Sequence, residues 1–177
     1  LTLAKKIANV SVIAFEPNKE AYFKFSKSLE KNLVLSKKIK LNNYGLSNVT
    51  KKLEMRTLVK FGYVQTGGAG VANNKEIKAG VTNNKKMKNY ITFFADFKIG
   101  DDCISFTEKK LSLKIDVEGY ELYVLEGLKK TLEKNKCILQ IEIFEINFKS
   151  VNNLLVSLGF RIVFEVKERS NYFYINF

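Results

Sequence analysis

The sequence predicts a mixed α/β fold in which strands and helices alternate and the sheet is mostly parallel. Apolar residues alternate with polar ones over 111–115, which is the spacing of a strand. Leucines then recur every three or four residues over 122–132, which is the spacing of a helix. The same order of strand and helix occurs at 10–15 and 18–36, and such alternation is typical of a parallel sheet with right-handed crossovers.

Length and composition suit one folded domain. The chain has 177 residues, of which 46% are apolar, and this is enough for a hydrophobic core. Apolar runs fall well short of the roughly 20 residues that cross a bilayer, and the first residues lack the pattern of a signal peptide. Cys103 and Cys137 are too far apart in sequence to form a metal-type pair. These features predict a single domain over 1–177 with no membrane span, in the reducing cytoplasm.

Charge and absent residue types narrow the chemistry. No histidine occurs, which excludes Ser-His and Cys-His catalysis and imidazole metal ligands within the chain. The net charge of +12 would suit a nucleic-acid-binding protein. However, the excess is mostly lysine, spread over predicted exposed helix faces and loops, and this favours a solvated surface. Nucleic-acid binding is therefore the less favoured interpretation.

The first elements are a helix end, a strand and a helix. Residues 1–8 have the spacing of the last turns of a helix, and 10–15 form a nearly continuous apolar strand. The strand ends at Glu16, and Asn18 is a suitable N-cap. The next helix is expected to continue to about Ser36 as one element.

Two further strands precede a segment of unusual composition. A strand begins at 39–41, and alternation over 53–57 predicts another. Residues 61–90 contain a tandem repeat of ten residues, AGVANNKEIK followed directly by AGVTNNKKMK. Two short copies are too few for a solenoid, so we interpret the repeat as a solvated surface loop or duplicated hairpin inserted into the domain. The aromatic stretch 90–97 predicts the next strand.

Two carboxylates follow the predicted strand at 111–115. Asp116 and Glu118 lie between this strand and a helix expected to begin at about Tyr120, with a tight turn at Gly119. In an open α/β sheet, ligands bind at the carboxyl ends of strands. Alternatively, Glu118 and the nearby Glu121 stabilise the N-terminus of the helix, where negative charge is favoured. The spacing alone leaves both interpretations open.

The last third of the chain predicts a buried strand, a helix and a hairpin. The strand at 137–144 is interrupted near its carboxyl end by Glu142. Asn147 can cap the next helix, and Gly159 can end it in the left-handed conformation. The remaining residues, up to Phe177, predict a C-terminal antiparallel hairpin.

Five segments carry a resemblance to a known family: VIAFEPN at 12–18, GLS at 45–47, KIDVEGYE at 114–121, VLEG at 124–127 and QIEI at 140–143. In this order they resemble the FkbM-type methyltransferases, which use S-adenosylmethionine to methylate hydroxyl groups. The resemblance implies a Rossmann-like class I methyltransferase fold. The family's first strand and glycine-rich cofactor loop have no counterpart here, so the domain is expected to be N-terminally incomplete, as a fragment or a degenerate member.

The resemblance also implies a cofactor site. It assigns these residues to S-adenosylmethionine: Glu16, Pro17, Asn18, Asn43, Tyr44, Gly45 and Asp116. Glu16 would accept hydrogen bonds from the two ribose hydroxyls, as a carboxylate can. Asn43, Tyr44 and Gly45 would flank the adenine.

The implied reaction is methyl transfer to a hydroxyl of a small molecule or a glycan. A positioned acceptor must lose a proton, and without histidine a carboxylate is the expected base. Asp116 and Glu118 are the candidates, and Asp116 is preferred, because Glu118 lies closer to the helix N-terminus and is expected to act more on stability. A divalent ion bridging Asp116 and Glu142 could instead lower the pKa of the hydroxyl, although the sequence does not demand a metal. The competing hypotheses are an RNA-binding or RNA-methylating module and a non-catalytic remnant of the family.

Overall fold

The computed structural model describes residues 10–60, 63–64, 68–72 and 89–177. Within them, eleven strands form three sheets and six helices connect or cover them, which confirms the predicted mixed α/β fold. In this part of the chain, no helix is long and apolar enough to cross a membrane. The helix expected at 1–8 and most of the tandem repeat lie outside the described residues.

The strands are β1 (Val12–Phe15), β2 (Ile39–Asn42), β3 (Gly45–Ser47), β4 (Lys51–Lys60), β5 (Tyr63–Val64), β6 (Gly70–Val71), β7 (Asn89–Ile99), β8 (Lys110–Ile115), β9 (Lys136–Glu142), β10 (Arg161–Val166) and β11 (Asn171–Ile175). The helices are α1 (Lys19–Glu30), α2 (Leu33–Ser36), α3 (Gly100–Cys103), α4 (Glu121–Gly127), α5 (Lys129–Glu133) and α6 (Glu145–Ser157). A short 3-10 turn, Lys167–Arg169, joins the last two strands.

The three sheets differ in strand direction. Strands β1 and β2 form a parallel pair, and β8 pairs in parallel with β9 in a second sheet of order β10-β11-β9-β8. In the third sheet, of order β3-β7-β4-β5 with β6 also on β4, only β3 and β7 are parallel. Three of the eight described strand pairs are therefore parallel, in contrast to the mostly parallel sheet that we expected. The main reason is that β4 and β7, on either side of the insertion, form a long antiparallel hairpin. The C-terminal antiparallel hairpin, β10 with β11, is confirmed.

The main core joins buried side chains of the second and third sheets with those of the helices α4 to α6. On β9 the inward side chains alternate with exposed ones, and Cys137, Leu139 and Ile141 are all fully buried. The predicted leucine series faces them, with Leu125 and Leu132 also fully buried. Each such side chain contributes about 1.5–3 kcal/mol through burial. The series is nevertheless split into two helices, because α4 ends at Gly127 and α5 begins at Lys129.

The helix that follows β1 is also divided. Asn18 caps it as predicted, since its side-chain oxygen accepts hydrogen bonds from the backbone of Glu20 and Ala21. However, α1 ends at Glu30, where the Asn32 backbone N–H donates to the Leu29 carbonyl instead of continuing the α-helical pattern. The single helix expected up to Ser36 is therefore two helices.

The helix after β9 starts differently from our prediction. The residue preceding α6 is Phe144, and Asn147 lies inside the first turn, so the predicted Asn147 cap is wrong. Its side chain instead donates 3.2 Å to the backbone oxygen of Gly119, in the turn after β8. The predicted end of the helix is confirmed, because Gly159 follows it with a φ of +80°.

The insertion is not wholly a surface loop. The first repeat copy begins with Ala69 to Ala72, and its strand β6 pairs with β4. Val71 is 7% exposed and Ala72 is 2% exposed, so this part is packed into the core. The surface-loop interpretation is therefore wrong for 69–72. The remainder of the repeat, 73–88, lies outside the described residues.

Candidate active site

The backbone at Glu16 is held by the segment that follows β2. Its N–H donates to the Asn42 carbonyl at 3.0 Å, and its carbonyl accepts from the side-chain amide of Asn43 at 2.9 Å. The Asn42 side chain donates to the Ala14 carbonyl in the same way. The structure therefore brings Glu16 and Asn43 together. The side chain of Asn43, however, is used to fix the main chain of Glu16.

The Glu16 carboxylate lies directly over the start of α1. It is half-buried and accepts a hydrogen bond of 2.8 Å from the Asn18 backbone N–H. Burial raises the pKa of Glu16, and the Asn18 hydrogen bond partly opposes this rise. Pro17 lies between these two residues and, as a proline, has no backbone N–H that would need a hydrogen-bond partner here. The arrangement presents one well-placed carboxylate at the carboxyl end of β1.

Asn18 carries a side-chain donor that has no partner among the described residues. The residue is 4% exposed, and within the described part of the chain its side-chain nitrogen makes no hydrogen bond. A buried unsatisfied donor costs about 1–3 kcal/mol. The side-chain oxygen is already used as the helix cap. The unpaired nitrogen is therefore available to a ligand acceptor beside Glu16.

Tyr44 and Gly45 occupy the turn from β2 into β3. The Tyr44 ring packs against Phe15, with ring centroids 5.6 Å apart, and the Lys98 ammonium lies 4.3 Å from its centroid. Burial, and then the hydrogen-bonded thiol of Cys103, raise the pKa of Tyr44. A Cβ atom on Gly45 would overlap the Phe97 ring, so close packing explains this glycine. Sequence reasoning did not identify Lys98 or Cys103 as neighbours of Tyr44.

Three carboxylates meet beyond the parallel pair β8 and β9. Asp116 follows the last residue of β8, Glu142 is the last residue of β9, and Glu118 lies in the turn before α4. Burial, and then the charges of Asp116 and Glu142, raise the pKa of Glu118. Burial and the charge of Asp116 also raise the pKa of Glu142, while Lys114 lowers it. These charges act on one another, so the three side chains lie in one neighbourhood of the structure.

Sequence reasoning missed a cation at this cluster. The Lys114 ammonium is 2.6 Å from Asp116 Oδ2, and both side chains are substantially exposed. An exposed pair of this kind adds little stability, but it restrains the position of the Asp116 side chain. The sequence spacing could have indicated this pair, because side chains two residues apart on a strand point to the same face.

A buried network sets the turn that carries Glu118. Glu118 and Gly119 both have left-handed backbones, with φ of +52° and +92°. Glu121 is 1% exposed, and its carboxylate accepts a hydrogen bond of 2.7 Å from the Gly119 N–H. Asn147 donates to the same carboxylate at 3.4 Å. Glu118 and Glu121 were both candidates for stabilising the helix N-terminus. Glu121 orders the turn through its hydrogen bonds, whereas Glu118 lies near Asp116 and Glu142.

The described residues do not form an obvious metal centre. They contain no group of three or more histidine, cysteine, aspartate or glutamate side chains arranged to hold an ion. Asp116 and Glu142 would therefore supply two ligands without a third from the described part of the chain. The bridging ion remains a prediction from the sequence.

Replacing Glu118 by glutamine should stabilise the protein at neutral pH. Because its pKa is raised above the ordinary value of 4.5, the folded state binds the proton more tightly than the unfolded state does. Stability is therefore lost as the pH rises from 4.5 through the pKa of the folded state. Thermal melts should show a higher Tm for Glu118→Gln than for wild type near neutral pH, and no gain near pH 4.

Glu108→Gln is the matched control for this experiment. Glu108 also has a left-handed backbone, with a φ of +56°, and its side chain is exposed. The net charge is already +12, so loss of an isolated negative charge should not raise stability. An equal gain in Tm for both variants would show that the carboxylate cluster is not the cause.

Comparisons with known proteins agree on one family. The model of the Methyltransferase FkbM domain matches residues 4–162. Among solved structures, the chain is similar to the methyltransferase FkbM from Methylobacillus flagellatus KT, with a TM-score of 0.56 and 17% identity. This likeness covers 93% of the present chain but 36% of the other, so the chain spans little more than a third of that protein's length. No curated protein matches the sequence.

These comparisons have different weight. At 17% identity, the structural likeness shows a shared fold and nothing of the substrate. The family model covers most of the chain, including β1, the turn after β8 and β9. The chain therefore belongs to the FkbM methyltransferase domain family.

Proposed function

We propose that the chain is part of an S-adenosylmethionine-dependent O-methyltransferase that acts on a hydroxyl of a small molecule or glycan. The observation that carries this proposal is the half-buried Glu16 carboxylate, fixed at the end of β1 beside the unpaired amide nitrogen of Asn18. In a methyltransferase family, this place suits the cofactor's ribose, whose two hydroxyls need an acceptor and can themselves accept.

The sheet arrangement is compatible with a Rossmann-like class I fold. The described pairs β1–β2 and β8–β9 are both parallel, and the outer edges of β1 and β8 have no described strand partner. We propose that these pairs belong to one sheet in the complete protein, with the family's first strand between β1 and β8. Glu16 and the three carboxylates would then lie at one edge of this sheet.

The cofactor and acceptor would divide these residues between them. When bound, S-adenosylmethionine supplies an activated methyl group. Glu16 and Asn18 would hold the ribose, and Tyr44 would flank the adenine. The acceptor hydroxyl would lie beside Glu118, which would orient it and take its proton.

Glu118 is better suited than Asp116 to take the hydroxyl proton. Its raised pKa brings it closer to neutrality, where a general base is most effective. Asp116 is already engaged by the Lys114 ammonium, 2.6 Å from its Oδ2, and is therefore less free to approach an acceptor hydroxyl. Asp116 would instead orient Glu118 through its nearby charge. This assignment differs from the sequence-based preference for Asp116 as the base.

Glu16→Ala in the complete protein should weaken cofactor binding. Loss of a hydrogen bond to a charged group costs about 2 kcal/mol, or a roughly 30-fold increase in Kd. Isothermal titration with S-adenosylhomocysteine measures this change directly. Because burial raises the pKa of Glu16, wild-type affinity should also fall as the pH is lowered through that pKa and the carboxylate becomes protonated.

Glu20→Ala is the control, because Glu20 lies nearby on α1 but is exposed and pairs with Lys24. It should leave the Kd within about twofold, the range of an exposed pair. A Glu16→Ala protein that binds S-adenosylhomocysteine with wild-type affinity but has a lower Tm would show that Glu16 only stabilises the start of α1.

A further inference from the structure

Gly68, in the inserted segment, lies close to Glu118, one of the three carboxylates of the candidate site. A Cβ atom added to Gly68 would lie 3.8 Å from Glu118 Oε1, which is ordinary van der Waals distance. Gly68 has a φ of +76°, and Glu118 also has a left-handed backbone. Any side chain at position 68 would therefore start next to the carboxylate of Glu118.

The position of Gly68 is fixed by the strand that follows it. Val71 and Gly70 of β6 pair with Met55 and Arg56 of β4, and the Ala72 N–H donates to the Glu54 carbonyl at 2.8 Å. Val71 belongs to the main core, and Ala72 next to it is buried. Gly68 precedes this packed strand by two residues, so its approach to Glu118 follows from the fold.

We infer that Gly68 forms one wall of the acceptor site and sets the room available beside Glu118. This inference rests on the proposed function. With hydrogen in place of a side chain, the backbone at Gly68 leaves space for the carbon skeleton that carries the acceptor hydroxyl, such as a sugar ring. A larger residue would occupy that space and would discriminate against bulky acceptors more than against small ones.

A left-handed glycine elsewhere in the chain separates this role from backbone strain. Gly159 has a φ of +80°, and among the described residues a Cβ atom there would have no neighbour within 4 Å. Leucine at either position meets the same backbone penalty. Only leucine at 68 would also meet Glu118.

The test compares Gly68→Leu with Gly159→Leu in the complete protein. Methyl transfer from radiolabelled S-adenosylmethionine is measured with glycerol, methyl glucoside and maltose, which increase in size. We expect Gly68→Leu to lower kcat/KM at least tenfold more for maltose than for glycerol, mainly through KM. The Kd for S-adenosylhomocysteine should stay within twofold, and Gly159→Leu should keep the wild-type order of preference.

A second measurement needs no activity. The changes in Tm caused by Gly68→Leu and Glu118→Ala should be non-additive, because Glu118→Ala makes room for the leucine. The changes caused by Gly159→Leu and Glu118→Ala should add. Additivity in both cases would overturn the inference, as would an unchanged acceptor preference in an active Gly68→Leu protein. Failure of the wild type to bind S-adenosylhomocysteine or methylate any acceptor would refute the proposed function and the acceptor role with it, while the Tm values still decide the contact.

Discussion

Gly127→Ala should destabilise the protein by about 3 kcal/mol or more, at the upper end of the usual cost of overfilling a core. A Cβ atom on Gly127 would overlap the Ser47 carbonyl oxygen and lie 2.5 Å from the Ser47 carbonyl carbon. These are backbone atoms of β3, which cannot move aside by a change of rotamer. The substitution would therefore force α4 away from β3.

The sign of this effect is opposite to the usual one. Alanine normally stabilises a helix by about 1 kcal/mol relative to glycine. Here, one contact at the start of α4 and one near its end hold the helix close to β3. The Tyr120 hydroxyl is 3.0 Å from Ser47 Oγ, and the Asn48 amide donates to Glu126 at 2.7 Å. The gain in helix propensity cannot compensate for the loss of these contacts and of the packing beneath them.

Urea unfolding of Gly127→Ala and Gly159→Ala measures the difference. Gly159→Ala meets no neighbour within 4 Å, so only its left-handed backbone should matter, at a cost of about 1–2 kcal/mol. A Gly127→Ala protein as stable as wild type would show that α4 does not pack on β3 in this way.

Local patterns predicted much of the fold. The alternation before Asp116 and the leucines after it give β8 and the helices that follow, because both patterns depend on residues a few positions apart. The breaks at Asn32 and Leu128 were not predicted, because apolar spacing continues across them while the hydrogen bonding changes. The β4–β7 hairpin was also not predicted, because pairing across an insertion is a long-range property of the chain.

The candidate site was predictable to a similar extent. Asp116 and Glu142 were expected to meet because neighbouring parallel strands end at one edge. The roles of Glu121 and Asn147 were not, since their hydrogen bonds join the turn after β8 to α6, which is distant in sequence. Gly68 reaches Glu118 only through the pairing of β6 with β4, and no local pattern specifies that register.

Glu118→Gln in the complete protein should lower methyl transfer by on the order of 100-fold or more, the usual contribution of a general base. Glutamine has nearly the same shape but cannot accept the hydroxyl proton. Asp116→Asn should have a smaller effect, on the order of tenfold, because it removes only the charge that helps raise the pKa of Glu118. Turnover with S-adenosylmethionine and a saturating sugar acceptor measures both variants, and Glu108→Gln should match wild type.

The pH dependence of the same rates separates the two carboxylates. If Glu118 is the base, the acidic limb of the kcat profile reports its pKa in the complex, and Asp116→Asn should move this limb to lower pH because a neighbouring negative charge is lost. The limb should disappear in Glu118→Gln. A Glu118→Gln protein with wild-type turnover, alongside an inactive Asp116→Asn protein, would instead assign the base to Asp116. Recovery of Asp116→Asn by added magnesium or manganese would support the bridging ion, whereas a reaction indifferent to both metals leaves proton removal to Glu118.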